Sequence, residues 1–374
     1  MNVLTLASSA LASFFFFGNT ALAAQDLPAE LTPRFRCPDE FTGKFSPQRS
    51  PLQFDDGSIV KTSADWSRRR EEILKTWRQI MGDWPPVLEN PKMEILETTH
   101  RENFSQRKID LQIAVGQTDR GYLLIPDGTP PFPAVFVPYY EPETSIGLSK
   151  QPLRDFAYQL ARRGFVTLAI GSPGGDARKP QLSAEAHCQP LSYLGYIAAN
   201  AWQALASLPE VDSQRIGIVG HSYGGKWSMF GSCLYEKYAC AVWSDPGIVF
   251  DEQRASINYW EPWYLGYDSA FTRKPGLITS ESPRTGAYKE LVEKHHDLPE
   301  LEALMAPRPF LVSGGSEDFR ARWPVLNHAL AVNALLGFHD RVGMTNRPKH
   351  EPTEESNAVI YAFFEHWLKP APAH

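Results

Sequence analysis

Ile216-Gly217-Ile218-Val219-Gly220-His221-Ser222-Tyr223-Gly224-Gly225-Lys226 is the stretch that decides the fold. Its apolar opening reads as a buried strand, and residues 226–235 read as a helix. Ser222 stands at the apex of a sharp turn between them, flanked by Gly220 and Gly224. Glycines there leave room for a strained backbone that pushes the hydroxyl into the open. The start of the helix offers N–H groups that no helical carbonyl takes, and these suit an oxygen gaining negative charge. A bare G-x-S-x-G is weak, because small residues meet by chance in turns. Between a strand and a helix it makes Ser222 a candidate nucleophile and the Tyr223 N–H a candidate oxyanion donor.

A serine hydroxyl needs a base to take its proton and an acid to orient that base. This strand–turn–helix resembles that of α/β-hydrolases, and the resemblance implies that the acid and then the base follow in the chain. Residues 308–313 read as a buried strand, and Gly314-Gly315-Ser316-Glu317-Asp318 follows it. A carboxylate just past a strand's C-terminal end sits at the rim where open parallel sheets bind ligands. Asp318 is the expected acid. Its neighbour Glu317 is one alternative, and Asp245, after the strand-like 240–244, is another one strand earlier. Of ten histidines, His350 alone follows a strand pattern (340–344) and precedes a closing helix, about 356–369, with one apolar face. It is the expected base. An earlier strand, 132–137, runs into Pro138-Tyr139-Tyr140-Glu141. Proline has no N–H, so the second oxyanion donor is expected from the Tyr140 N–H.

From about residue 92 to 368 these features resemble the α/β-hydrolase superfamily, which implies a mainly parallel sheet with helices on both faces. Ser222-Tyr223-Gly224-Gly225 and Met305-Ala306-Pro307-Arg308-Pro309 are similar to prolyl-oligopeptidase-like and acetyl-xylan-esterase-like enzymes. Gly220-x-Ser222-x-x-Gly225-Lys226 also resembles the G-C-S-R-x-G-K of glucuronoyl esterases, with His221 in place of the cysteine and Tyr223 in place of the arginine. Lys226 sits one helical turn after Ser222, on its face. The resemblance implies that it contacts substrate hydroxyls or a uronate carboxylate; the plain alternative is a lysine that snorkels to solvent.

Residues 1–24 read as a secretory signal: an apolar run ends in four phenylalanines, and Ala21-Leu22-Ala23 offers a small-residue cleavage site. A secreted or periplasmic enzyme, free of the membrane after cleavage, is the expectation. The net charge of −6 and the lack of a basic run argue against a nucleic-acid partner. No metal-ligand spacing stands out, and the chemistry implies no organic cofactor. The four cysteines are scattered; an oxidising compartment makes Cys233–Cys240 the first expected disulfide, leaving Cys37–Cys188.

Residues 25–91 read as an extended arm and one helix (64–82), and 92–374 as the α/β domain. Residues 92–126 alternate as antiparallel strands. Helices are expected at 153–163 and 194–208, with a buried strand at 165–170 between them. The segment 246–299 breaks the alternation and reads as a lid rich in Tyr and Trp. Trp260 and Trp263 are its candidate ligand contacts, by stacking on a sugar or lining an acyl pocket. The combined expectation is a serine hydrolase acting on a carboxylic ester, on a small molecule or polysaccharide. A small prolyl-oligopeptidase-like peptidase and an inactive carbohydrate-binding protein are the two rivals. The sequence does not set the oligomeric state.

Overall fold

A computed structural model describes residues 26–369; the expected signal sequence lies outside them. Nine strands form one sheet: β1 (Met93–Arg101), β2 (Phe104–Ala114), β3 (Gln117–Pro126), β4 (Phe132–Pro138), β5 (Val166–Ile170), β6 (Val211–His221), β7 (Cys240–Ser244), β8 (Phe310–Gly314) and β9 (Val342–Asn346). Their spatial order is β1-β2-β3-β5-β4-β6-β7-β8-β9. The first three strands and the β3–β5 pair are antiparallel; from β5 to β9 the pairing is parallel. Chain order reverses beside β4, so the loops after β4 and β6 diverge to opposite sides and leave a crevice at the strand ends.

The helices are α1 (Ser63–Met81), α2 (Pro142–Ser145), α3 (Phe156–Ala161), α4 (Pro190–Ala206), α5 (Tyr223–Leu234), α6 (Gly286–Glu293), α7 (Leu298–Ala303), α8 (Trp323–Leu335) and α9 (Glu354–Leu368). One face of the sheet packs against α1, α4, α5 and α8, the other against α3 and α9. This is the α/β-hydrolase architecture. Buried on both faces, the central strands read as continuous apolar runs rather than alternating ones.

Helix α1 starts on a capping box between Thr62 and Asp65 and buries Trp66, Ile73 and Trp77. Its buried Arg69 reaches Glu300 of α7 at 2.7 Å, which ties the N-terminal segment to the body. Two helices differ from expectation at their starts. Helix α4 begins at Pro190, since proline's missing N–H costs nothing in a first turn. Helix α3 is shorter than 153–163 because Leu153 has φ 63° and its carbonyl accepts from Asn357 Nδ2 at 2.8 Å.

The expected disulfides do not form: all four cysteines are free thiols. Cys233 points from α5 into one core and Cys240 lies in the core on the opposite face, so the sheet itself separates them. The 246–299 insertion packs its aromatics inward. Tyr259 stacks near Phe230 of α5 at 6.2 Å, and the Tyr264 carbonyl accepts the Leu191 N–H at the head of α4 at 3.0 Å. Among the described residues no helix is long and apolar enough to cross a membrane.

Candidate active site

Ser222 joins the last residue of β6 to the first of α5, with φ 57° and ψ −113°. A non-glycine residue in this region is strained and persists only where its surroundings over-determine it. Here its N–H donates to the Ser244 carbonyl at 2.8 Å, and its carbonyl accepts the Lys226 N–H at 3.0 Å. The flanking glycines are required by close passage of backbone. A Cβ on Gly220 would lie 2.1 Å from the Gly224 carbonyl oxygen, and one on Gly224 would lie 2.3 Å from that of Pro138. The helix starts with no side-chain cap, which leaves its first N–H groups, Tyr223's among them, for an anion.

Asp245 follows β7 with φ 54°. Its Oδ2 is 2.7 Å from His350 Nδ1. Its Oδ1 accepts the N–H groups of Gly315 at 2.6 Å, Asp318 at 2.9 Å and Glu317 at 3.2 Å. The acid expected from the sequence was Asp318, with Glu317 and Asp245 as alternatives; of the three it is Asp245 whose carboxylate meets His350. The loop after β8 curls back so that its backbone, not the Asp318 side chain, meets the site. The Asp318 carboxylate turns away and accepts the N–H groups of Gly247 at 2.8 Å and Ile248 at 2.7 Å. Glu317 is also spent elsewhere, on Ser256 Oγ at 2.6 Å and Arg254 Nε at 3.3 Å.

The two aspartates are shifted in opposite directions. Burial pushes Asp245 upward, but the bonds from His350 and the Asp318 N–H, with the Arg347 charge, outweigh it and leave its pKa below the ordinary value. Burial and then the neighbouring Asp245 charge raise Asp318 to about 7. Asp245, Glu317 and His350 place ligand atoms within 4.8 Å of one another. Their mutual bonds and those of Glu317 to Ser256 and Arg254 already occupy those atoms, so the cluster reads as a proton-handling pair rather than a metal cradle.

His221 is buried against His350, ring centroids 4.6 Å apart. Its Nδ1 lies 3.1 Å from Ser244 Oγ, while Nε2 has no hydrogen-bond partner. Burial, then the neighbouring His350 and Arg347, hold it well below the usual imidazole range, hence neutral.

The aromatic residues form a shelf beside the serine. Tyr140 is 40% exposed and stacks on Tyr223 at 4.9 Å. Its carbonyl accepts the Ser172 N–H at 3.0 Å. Tyr223, at the position of the glucuronoyl-esterase arginine, is buried with its hydroxyl 3.0 Å from Ser172 Oγ. Lys226 does not reach a ligand surface. It is buried, donates to the Pro246 carbonyl at 2.6 Å and lies 4.8 Å from the centre of the Tyr259 ring. Burial brings its pKa down to about 8. Trp260 is wholly buried and donates to the Gly276 carbonyl, so it supports the insertion instead of touching ligand. Trp263 is half-buried beneath the Arg178 guanidinium, 5.8 Å from its ring centre.

A family model described as the prolyl oligopeptidase family matches residues 155–369, more than half of the chain. No curated protein matches the sequence. Among solved structures, a glucuronoyl esterase from Solibacter usitatus superposes with a TM-score of 0.65 at 16% identity, covering 87% of this chain and 100% of the other. A CE15 glucuronoyl esterase from Teredinibacter turnerae T7901 gives 0.63 at 17% identity, covering 85% and 89%. A promiscuous CE15 esterase from the marine bacterial metagenome gives 0.62 at 15% identity, covering 87% and 97%. At such identities the likeness speaks for the fold alone.

Proposed function

The chain belongs to the prolyl oligopeptidase family, and from there we propose that it is a serine hydrolase that cleaves carboxylic esters, on carbohydrates, through an acyl-enzyme. One observation carries the reading: a serine on a strained strand–helix turn, one strand from a buried aspartate bonded to a histidine at 2.7 Å. Ser222 Oγ attacks the ester carbonyl while His350 Nε2 takes its proton. Asp245 holds the Nδ1–H, which selects the reactive tautomer and balances the imidazolium charge. The Tyr223 and Tyr140 N–H groups receive the oxyanion. Collapse of the intermediate breaks the bond to the leaving alcohol, which takes the proton from His350. Water activated by the same histidine then releases the acid and restores Ser222.

The carbohydrate assignment draws on the resemblance to glucuronoyl esterases in fold and in the Gly220–Lys226 motif. Tyr223 in place of the arginine and the inward Lys226 remove two of that motif's polar groups from the ligand side. An acetyl or other uncharged acyl group therefore fits as well as a uronoyl one. Export from the cytoplasm rests on the 1–24 segment. The test is hydrolysis of p-nitrophenyl acetate, acetylated xylan, methyl glucuronate esters and a proline peptide amide, with Ser222→Ala beside the parent. Turnover of a sugar ester that falls about 10⁴-fold or more in Ser222→Ala is expected. Turnover of the amide alone moves the protein to the peptidases, and equal turnover by Ser222→Ala overturns the mechanism.

A further inference from the structure

Arg347 closes β9's path toward His350 and is buried. Every oxygen its guanidinium reaches by hydrogen bond is neutral, and these oxygens come from two strand ends and the loop that carries His350. Nη1 donates to the Ser313 carbonyl at 2.6 Å, the Ser313 hydroxyl at 3.0 Å and the Gly314 carbonyl at 3.3 Å, all at the end of β8. Nη2 donates to the His350 carbonyl at 2.7 Å and to Ser244 Oγ, at the end of β7, at 3.2 Å. Nε donates to the carbonyls of Glu351 at 2.9 Å and His350 at 3.3 Å. Among the described residues it forms no salt bridge.

A cation buried without a bonded carboxylate is costly, and a planar fork that fills its donors with backbone oxygens is one arrangement that offsets the cost. Lysine has the charge but not the fork. What the fork joins is informative. Ser244 immediately precedes Asp245, and its hydroxyl also lies against His221 Nδ1 at 3.1 Å. The His350 carbonyl belongs to the residue whose ring meets Asp245. One side chain thus spans the segments that bring the acid and the base together. Burial lowers its own pKa, and the Asp245 and Asp318 charges oppose that shift, in keeping with a cation that remains charged beside the pair.

We infer that Arg347 is a positioning residue: it locks the backbone of His350 to the ends of β7 and β8, so that the imidazole keeps its Nδ1 on Asp245 while Nε2 works on Ser222. The inference rests on the functional reading above.

The experiment measures kcat, KM, thermal midpoint and the rate of Ser222 labelling by a fluorophosphonate in Arg347→Lys, Arg347→Met and the parent. With the imidazole loosened, kcat is expected to fall about 100-fold while KM stays within about twofold, and labelling slows in step with kcat. Arg347→Lys is expected to show the same pattern, since its charge survives but the fork does not. A folded Arg347→Lys with kcat and labelling within about threefold of the parent overturns the inference. Should Arg347→Met fail to fold, Arg347→Lys decides by the same readouts. Should both fail, Ser244→Ala decides: it cuts the tie to β7 alone and must slow labelling without raising KM. A parent that neither labels at Ser222 nor hydrolyses any ester overturns the functional reading and this inference with it. A parent that does both, matched by Arg347→Lys, overturns the inference alone.

Discussion

Asp245 and Asp318 are the same side chain in nearly the same setting. Both are buried, both stand just past the C-terminal ends of adjacent parallel strands, and each accepts N–H groups from the other's loop. Their pKa values nevertheless move in opposite directions. Asp245 collects three backbone donors, His350 and the field of Arg347, and stays ionised. Asp318 collects two donors and faces the Asp245 charge, and is raised to about 7. Burial therefore does not set the pKa of a carboxylate by itself; the number of donors and the sign of the nearest charge decide the direction of the shift. The interlock also shows how a neighbouring loop serves the pair without lending it a side chain.

The strongest challenge to that contrast is a series of acid variants. Asp245→Asn leaves the carbonyl-like oxygen but not the charge that fixes the tautomer, and kcat is expected to fall about 10⁴-fold. Asp318→Asn sets an amide N–H₂ against backbone N–H groups and shifts the loop that carries Asp245; a loss of about tenfold to 100-fold is expected. Glu317→Gln, whose buried side chain faces Arg254 and Ser256 rather than His350, keeps most of those hydrogen bonds and is expected to change kcat by less than about threefold. The reverse order of the two aspartates in steady-state kinetics would undo the contrast.

Lys226 gives a smaller, separable effect. Its pKa in the fold is about 8, against an ordinary 10.5. Between those values the unfolded chain binds more protons than the folded one, so this group adds stability as pH rises through that window and loses it as pH falls through about 8. Lys226→Met is expected to remove that increment. The check is the difference in denaturant midpoint between parent and variant at the two ends of the window, which cancels the tyrosines common to both. A difference that does not change with pH would mean that the lysine is not desolvated.

Much of this was legible in the residues. The apolar runs of β4 to β9, the nucleophile turn and the order of Ser222 before His350 all follow from pattern and punctuation, because each is a local consequence of burial or of a tight backbone. The acid was not. Asp245 and Asp318 each follow a strand with suitable spacing, and only the curl of the Gly315–Asp318 backbone, where a Cβ on Gly315 would lie 2.6 Å from Asp245 Oδ2, decides between them. Lys226 misled for a related reason: helical spacing places it on the serine's face, but the Pro246 carbonyl and two tyrosine rings draw it inward. Cys233 and Cys240 are near in sequence, yet a sheet lies between their side chains. Arg347 left one faint signal, a basic residue three positions before the base, which no periodicity explains.

The most direct measurement is the proton on His350 Nδ1, observed by NMR as a resonance downfield of the amide region. A proton shared between imidazole and a buried carboxylate at 2.7 Å is expected there in the parent protein. It should persist in Asp318→Asn and vanish in Asp245→Asn. A resonance that survives in Asp245→Asn and disappears in Asp318→Asn would contradict the assignment of Asp245 as the acid.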